Sequence, residues 1–75
     1  MYLVIELQKL SDAQVAVPPV IQKEDELEAE SEYCRIRSIA AVSDVPQHTV
    51  LFVRDDGYLY DYKSYRHAAE EAGGA

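Results

Sequence analysis

The residues best suited to catalysis are two histidines and a single cysteine. His48 directly precedes a predicted strand and His67 directly follows one, so either imidazole could serve as a general base. A base also needs a nucleophile and an orienting group, and the sequence offers no such set. Cys34 lies inside a predicted helix, where Arg35 and Arg37 point elsewhere around the axis. A reactive thiolate needs a cationic environment, so we expect Cys34 to be a small packed residue. We therefore expect no enzymatic activity and no cofactor.

The acidic residues could hold a cation or imitate nucleic acid. Asp55-Asp56 lacks the twelve-residue pattern of a calcium loop, and with Gly57 it predicts a hairpin turn. The chain also lacks a two-cysteine, two-histidine zinc set, so we expect no metal. Six carboxylates fall within nine residues: Glu24, Asp25, Glu26, Glu28, Glu30 and Glu32. They indicate either a solvated helix start or a phosphate-mimicking surface that inhibits a host nucleic-acid-handling protein.

Tyrosines are concentrated near the end of the chain. Of six tyrosines, four fall between positions 58 and 65. One helix covers only one face of a sheet, so aromatic side chains on the other face would remain available to a partner. The alternative is that cross-strand aromatic pairs only stabilise the sheet. The candidate partner-binding residues are Tyr58, Tyr60, Tyr62 and Tyr65, of which period-two alternation places the first three on one face.

The strands follow from alternation and turns. Residues 2–9 alternate with period two and predict a first strand. Residues 15–21 predict a second strand that Pro18-Pro19 confine to a sheet edge, because proline gives the ladder no N–H donor. Residues 49–53 and 58–65 flank the predicted turn as strands three and four. Whether Leu51 and Val53 or Val50 and Phe52 share a face with the tyrosines depends on the length of that turn.

A single helix is predicted over residues 22–43. Asp25 followed by Glu28 fits a capping box, and Pro46 limits the helix at its other end. One side carries a predicted core stripe: Ala29, Tyr33, Ile36 and Ala40. A weaker stripe runs along roughly the opposite side: Leu27, Cys34 and Ala41. The fold class is therefore α+β of the order β-β-α-β-β, with one helix on a four-stranded antiparallel sheet, strand order 2-1-3-4 or alternatively 2-1-4-3.

Length, composition and charge bound the function. We expect one domain over residues 1–67 and a flexible tail over 68–75. The apolar fraction of 48% fits a globular protein, and no segment approaches the ~20 apolar residues of a membrane span. No signal peptide is evident, so we expect a cytoplasmic location. The net charge is −7 and the seven Lys and Arg residues do not cluster, which argues against nucleic-acid binding.

Four segments carry a resemblance: residues 2–8, 28–33, 40–48 and 64–67. With them the chain resembles short uncharacterised proteins encoded in prophages and related mobile elements of Gram-positive gut bacteria. The resemblance implies a phage setting and no known activity. Together with the residues, it favours a non-enzymatic interaction protein that binds a protein partner or itself through an apolar, tyrosine-rich sheet face.

Overall fold

The computed structural model describes residues 1–67 and shows a small α+β domain in which one helix packs on an antiparallel sheet. The predicted class is confirmed, whereas the sheet has five strands rather than four. The predicted tail, 68–75, lies outside the described residues. The elements in chain order are β1 (Tyr2–Ser11), β2 (Gln14–Ala16), β3 (Ile21–Lys23), α1 (Glu26–Ala41), β4 (Gln47–Arg54) and β5 (Leu59–Arg66).

The fifth strand arises at Pro18 and Pro19, which divide the predicted second strand into β2 and β3. Both short strands pair antiparallel with β1, and pairing is interrupted between them because proline has no N–H to donate. The sheet order is β2-β1-β4-β5, with β3 also beside β1. The predicted order 2-1-3-4 corresponds to β2-β1-β4-β5, but it treats β2 and β3 as one strand. The alternative 2-1-4-3 is wrong, since β1 and β4 pair directly from Tyr2 to Lys9.

Helix α1 is shorter than predicted at both ends. Residues 21–23 already belong to β3, and the Asp25 carboxylate accepts a hydrogen bond from the Glu28 backbone N–H at 3.0 Å. This bond is the Asp25 half of the predicted capping box, and it satisfies one of the N–H groups that the first helical turn leaves free. The helix then ends at Ala41, two residues before the predicted limit.

The core lies between α1 and the sheet face formed by alternate residues of β1 and β4. Ala29, Tyr33 and Ala40 are buried and Ile36 is half-buried, which confirms the predicted core stripe. These side chains pack against buried residues of the sheet: Val4, Val50 and Phe52. The strands therefore direct Val50 and Phe52 toward the helix, and Leu51 and Val53 away from it.

The β4–β5 hairpin turns through three residues, 55–57, because the Arg54 N–H donates to the Tyr58 carbonyl at 2.8 Å and so pairs these two residues. The Gly57 N–H donates to the Arg54 carbonyl at 2.9 Å, and Gly57 adopts a φ of +96°. Glycine suits this left-handed conformation because it has no Cβ. Three-residue hairpin loops of this kind place a left-handed residue at their end. The loop length that the sequence left open is therefore three.

A β-bulge lies in β5 just after the loop. Tyr60 and Asp61 together oppose Phe52, since the pairing shifts between Phe52 and Val53. A bulge adds one residue to one strand, so the alternation of side chains changes face beyond it. Tyr62 therefore pairs with Leu51 on the side away from the helix. This corrects the predicted alternation, in which Tyr62 shared a face with Tyr60.

Candidate functional site

The four tyrosines predicted to bind a partner do not form one surface. Tyr60 and Tyr65 are half-buried on the helix side, where the Tyr60 ring lies 4.9 Å from that of Phe52. Tyr58 is 56% exposed, and its ring lies 4.9 Å from that of Tyr60. Tyr62 projects from the other face and is 59% exposed. Of the four, Tyr62 is therefore the one that lies exposed on the sheet face away from α1.

The sheet face away from α1 is here called the open face. It consists of the alternate residues that the strand register places opposite the core side. Its members are Leu3, Ile5, Leu7, Lys9, Val15, Gln22, Gln47, Thr49, Leu51, Val53, Leu59, Tyr62, Ser64 and Arg66. No element of residues 1–67 packs over this face, because the single helix lies on the other side.

The open face has an apolar part and a polar part. The apolar cluster lies near the hairpin and comprises Leu3, Ile5, Leu51, Val53, Leu59 and Tyr62. The register aligns Ile5 with Leu51 and Leu51 with Tyr62, so these side chains form one continuous row across three strands. Neighbours on one face of a sheet lie about 4.5–5.5 Å apart, close enough for mutual contact. The cluster is thus contiguous rather than a set of scattered apolar residues.

A basic row closes the other end of the open face. Lys9 pairs with Gln47, and Gln47 pairs with Arg66. Between this row and the apolar cluster, Thr49 Oγ1 and Ser64 Oγ share a hydrogen bond of 2.9 Å. The strand residues of the open face therefore include two cations and no carboxylate, although the whole chain has a net charge of −7.

A shallow hollow marks the border of the basic row. Its volume is about 170 Å³, and it is lined by Leu7, Lys9, Val15, Gln47 and Thr49. All five belong to the open face, so the surface offers a concave apolar area beside a cation. This geometry suits the side chains of a packed protein surface better than a small ligand, which needs a deeper pocket of ≈ 300–1,000 Å³.

A polar pair lies on the sheet face that packs against the helix. His48 Nε2 contacts Glu6 Oε2, and the Gln8 side-chain N–H donates to the same oxygen at 3.1 Å. An imidazole oriented by a carboxylate is half of a catalytic arrangement. His48 is only 2% exposed, however, so a substrate has no access to its ring. His48 is thus the second residue of β4 rather than the residue before the strand, and its pair with Glu6 is part of the packing.

The remaining candidates for chemistry are dispersed. His67 Nε2 lies 3.1 Å from the Ala40 carbonyl, at the end of the helix. Cys34 is exposed, which corrects its predicted role as a packed residue. Asp56 belongs to the hairpin, where the hydrogen bond from the Arg54 guanidinium lowers its pKa below the ordinary value. These groups lie on different elements and do not converge on a common point.

Two further observations apply to residues 1–67. No group of three or more His, Cys, Asp or Glu residues there is arranged to hold a metal ion. No helix within that range combines the length and the apolar character that crossing a membrane requires. Comparisons with protein families, with curated proteins and with solved structures find no match to the chain.

Sequence reasoning missed most of the open face. Alternation grouped Leu3, Ile5 and Leu7, but Val4 and Tyr2 on the opposite face are also apolar. Both faces of β1 thus looked able to form a core. No local signal distinguishes the two faces, because Glu6 on the face of Val4 finds its partner in His48, 42 positions away in sequence.

Proposed function

We propose that this protein is a non-enzymatic interaction protein that binds a protein surface through its open face. The observation that carries the proposal is the apolar cluster, which no described element covers. Contiguous exposed apolar patches on small proteins mark interaction sites. A chain of 75 residues whose single cysteine excludes an internal disulfide also has little stability to spare, and association adds burial.

Tyr62 is the expected centre of contact. It is 59% exposed at the margin of the apolar cluster, beside Leu51. A tyrosine in this position keeps its hydroxyl in water when free and buries its ring when a partner docks. Tyrosine is also among the residues enriched at interface cores.

The setting that we propose follows the resemblance to short prophage-encoded proteins. On this proposal the protein is an accessory protein of a prophage, acts in the cytoplasm, and binds a phage protein, a host protein or a second copy of itself. On this proposal the protein binds neither nucleic acid nor a membrane. The charge supports this restriction, since the two cations of the open face are too few to neutralise a phosphate backbone.

The alternative, an acidic inhibitor of a nucleic-acid-handling protein, has weaker support. Glu26, Glu28 and Glu30 are exposed, as phosphate mimicry requires. An α-helix has 3.6 residues per turn, however, so carboxylates two residues apart point to nearly opposite sides of the helix. Glu32 is also occupied, because Arg35 donates a hydrogen bond to it at 2.6 Å. These carboxylates do not form the single row that a strand of phosphates presents.

Affinity capture with a matched pair of variants tests the proposal. Tyr62→Ser and Tyr58→Ser each remove one exposed tyrosine of the same hairpin, but only the first lies on the open face. Each protein is immobilised and exposed to an extract of a prophage-bearing Gram-positive bacterium. We expect the wild type and Tyr58→Ser to retain the same protein, and Tyr62→Ser to lose it.

A third variant separates the two functions. If Glu28→Gln/Glu30→Gln loses a captured nuclease or polymerase while Tyr62→Ser retains it, the open face is not the binding surface and the acidic alternative stands. Equal capture by all variants refutes both. Circular dichroism of each variant confirms that it is folded before capture.

A further inference from the structure

We propose that the occupant of the open face is a second copy of this chain, packed sheet to sheet about a two-fold axis. This inference rests on the proposed function and names its partner. The axis runs across the strands at the level of the row Ile5, Leu51 and Tyr62, so each of these residues meets its own counterpart. Such a contact is isologous and closes as a dimer.

The charges of the open face select this axis. A two-fold axis along the strands would place the basic rows of the two copies against each other, and like charges in an interface are strongly unfavourable. An axis across the strands reverses one sheet relative to the other. Arg66 of each copy, on β5, then lies over the hairpin end of the second copy, and Lys9, on β1, lies over Met1 of the second copy.

The hairpin end supplies the complementary charge. The Asp55 N–H donates to the Met1 carbonyl at 3.0 Å, which continues the β1–β4 pairing beyond Leu3 and Val53. Asp55 therefore follows Val53 on the same face of the sheet. Its carboxylate contacts the chain's own N-terminus at 3.4 Å, and its side chain is 59% exposed. Arg66 of each copy thus reaches Asp55 of the other at both rims.

The apolar residues fill the space between the two rims. Four residue positions separate Tyr62 from Arg66 along β5, and four separate Leu51 from Asp55, so the basic row and Asp55 lie at matching distances from the axis. Leu3 of one copy then meets Leu7 of the other. The result is an apolar centre with a charged rim, which is the usual anatomy of a protein interface.

The area indicates a weak dimer. The open face spans four strands spaced about 4.8 Å apart and about eight residues of about 3.4 Å, or roughly 500 Å² per copy. The total, roughly 1,000 Å², lies at the lower limit for a specific interface and belongs to the transient class. The dimer is therefore expected at high protein concentration, in fast exchange with the monomer.

Sedimentation equilibrium on a charge-swapped pair tests the arrangement. Arg66→Glu and Asp55→Lys are each purified, and their folding is confirmed by circular dichroism. We expect the wild type to dimerise within a series from roughly 10 μM to 1 mM. Each variant alone should associate at least ~10-fold more weakly, because like charges then meet at both rims. Their equimolar mixture should regain the wild-type affinity, since it pairs opposite charges at both rims.

The outcomes distinguish this inference from the proposed function. Restoration in the mixture supports the two-fold arrangement. A wild type that stays monomeric to 1 mM overturns the inference, as does a mixture that stays as weak as the variants alone while the wild type dimerises. A monomeric wild type that still captures a foreign protein in a Tyr62-dependent manner leaves the proposed function standing. Loss of both dimer and capture removes the proposed function as well.

Discussion

The assignment of faces can be tested with two valines of β4. Val50 is fully buried against the helix, whereas Val53, three residues along the same strand, is half-buried on the open face. Truncating each to alanine makes the same chemical change in the same strand, and it replaces a residue of high β-propensity by one of lower β-propensity in both cases. The two variants therefore differ mainly in whether a second layer of the protein covers the side chain.

The expected magnitudes differ by at least a factor of two. Val50→Ala removes two buried methyl groups at about 0.8 kcal/mol each, and the cavity left behind raises the loss to about 2–3 kcal/mol. Val53→Ala leaves no enclosed cavity, because nothing among residues 1–67 lies above it, so we expect less than about 1 kcal/mol. For a domain of this size the melting temperature falls by about 4–8 °C per kcal/mol.

Urea unfolding monitored by tyrosine fluorescence and circular dichroism measures both free energies. The protein concentration is kept at about 5 μM, so that the weak dimer does not add to the measured stability. A slip of one residue in the β4 register would exchange the two faces. Equal losses in the two variants, or a larger loss in Val53→Ala, would therefore refute the assignment of the core and of the open face.

Three further predictions concern single sites. Gly57→Ala should lower the free energy of unfolding in urea by about 1–2 kcal/mol, because a φ of +96° is unfavourable for alanine. No atom lies within 4 Å of the added Cβ, so the loss comes from the backbone alone, and a neutral result contradicts the turn assignment. His48→Ala should cost about 1–3 kcal/mol, because Glu6 loses its buried partner, and the double variant with Glu6→Ala should lose less than the sum of the two. Burial raises the pKa of Tyr33 above the ordinary 10.0. The contribution of Tyr33 to the free energy of unfolding is therefore complete below pH 10 and is lost as the pH rises through the folded-state pKa. Tyr33→Phe should remove that alkaline loss; an unchanged pH profile shows that another group causes it.

Local patterns in the sequence predicted the elements and the helix contact. The core stripe of α1 could be found because residues three and four apart lie on one side of a helix whatever surrounds it. Likewise the Asp25 cap and the turn at Gly57 depend on neighbouring residues alone. Pro18 and Pro19 predicted a sheet edge correctly, although dividing that strand in two required β1 as a partner for both halves.

The open face and the polar pair could not be predicted in this way. Which side of β1 meets the helix depends on pairing with β4, whose paired residues lie 38 to 52 positions away in sequence, and both sides are partly apolar. The bulge at Tyr60 adds one residue to β5 opposite β4, and this residue places Tyr62 on the other face. Strand alternation has a period of two, so one extra residue reverses every later side chain. The sequence by itself therefore determined the class, the helix and its core stripe, whereas only the tertiary structure decided which surface remains open to a partner.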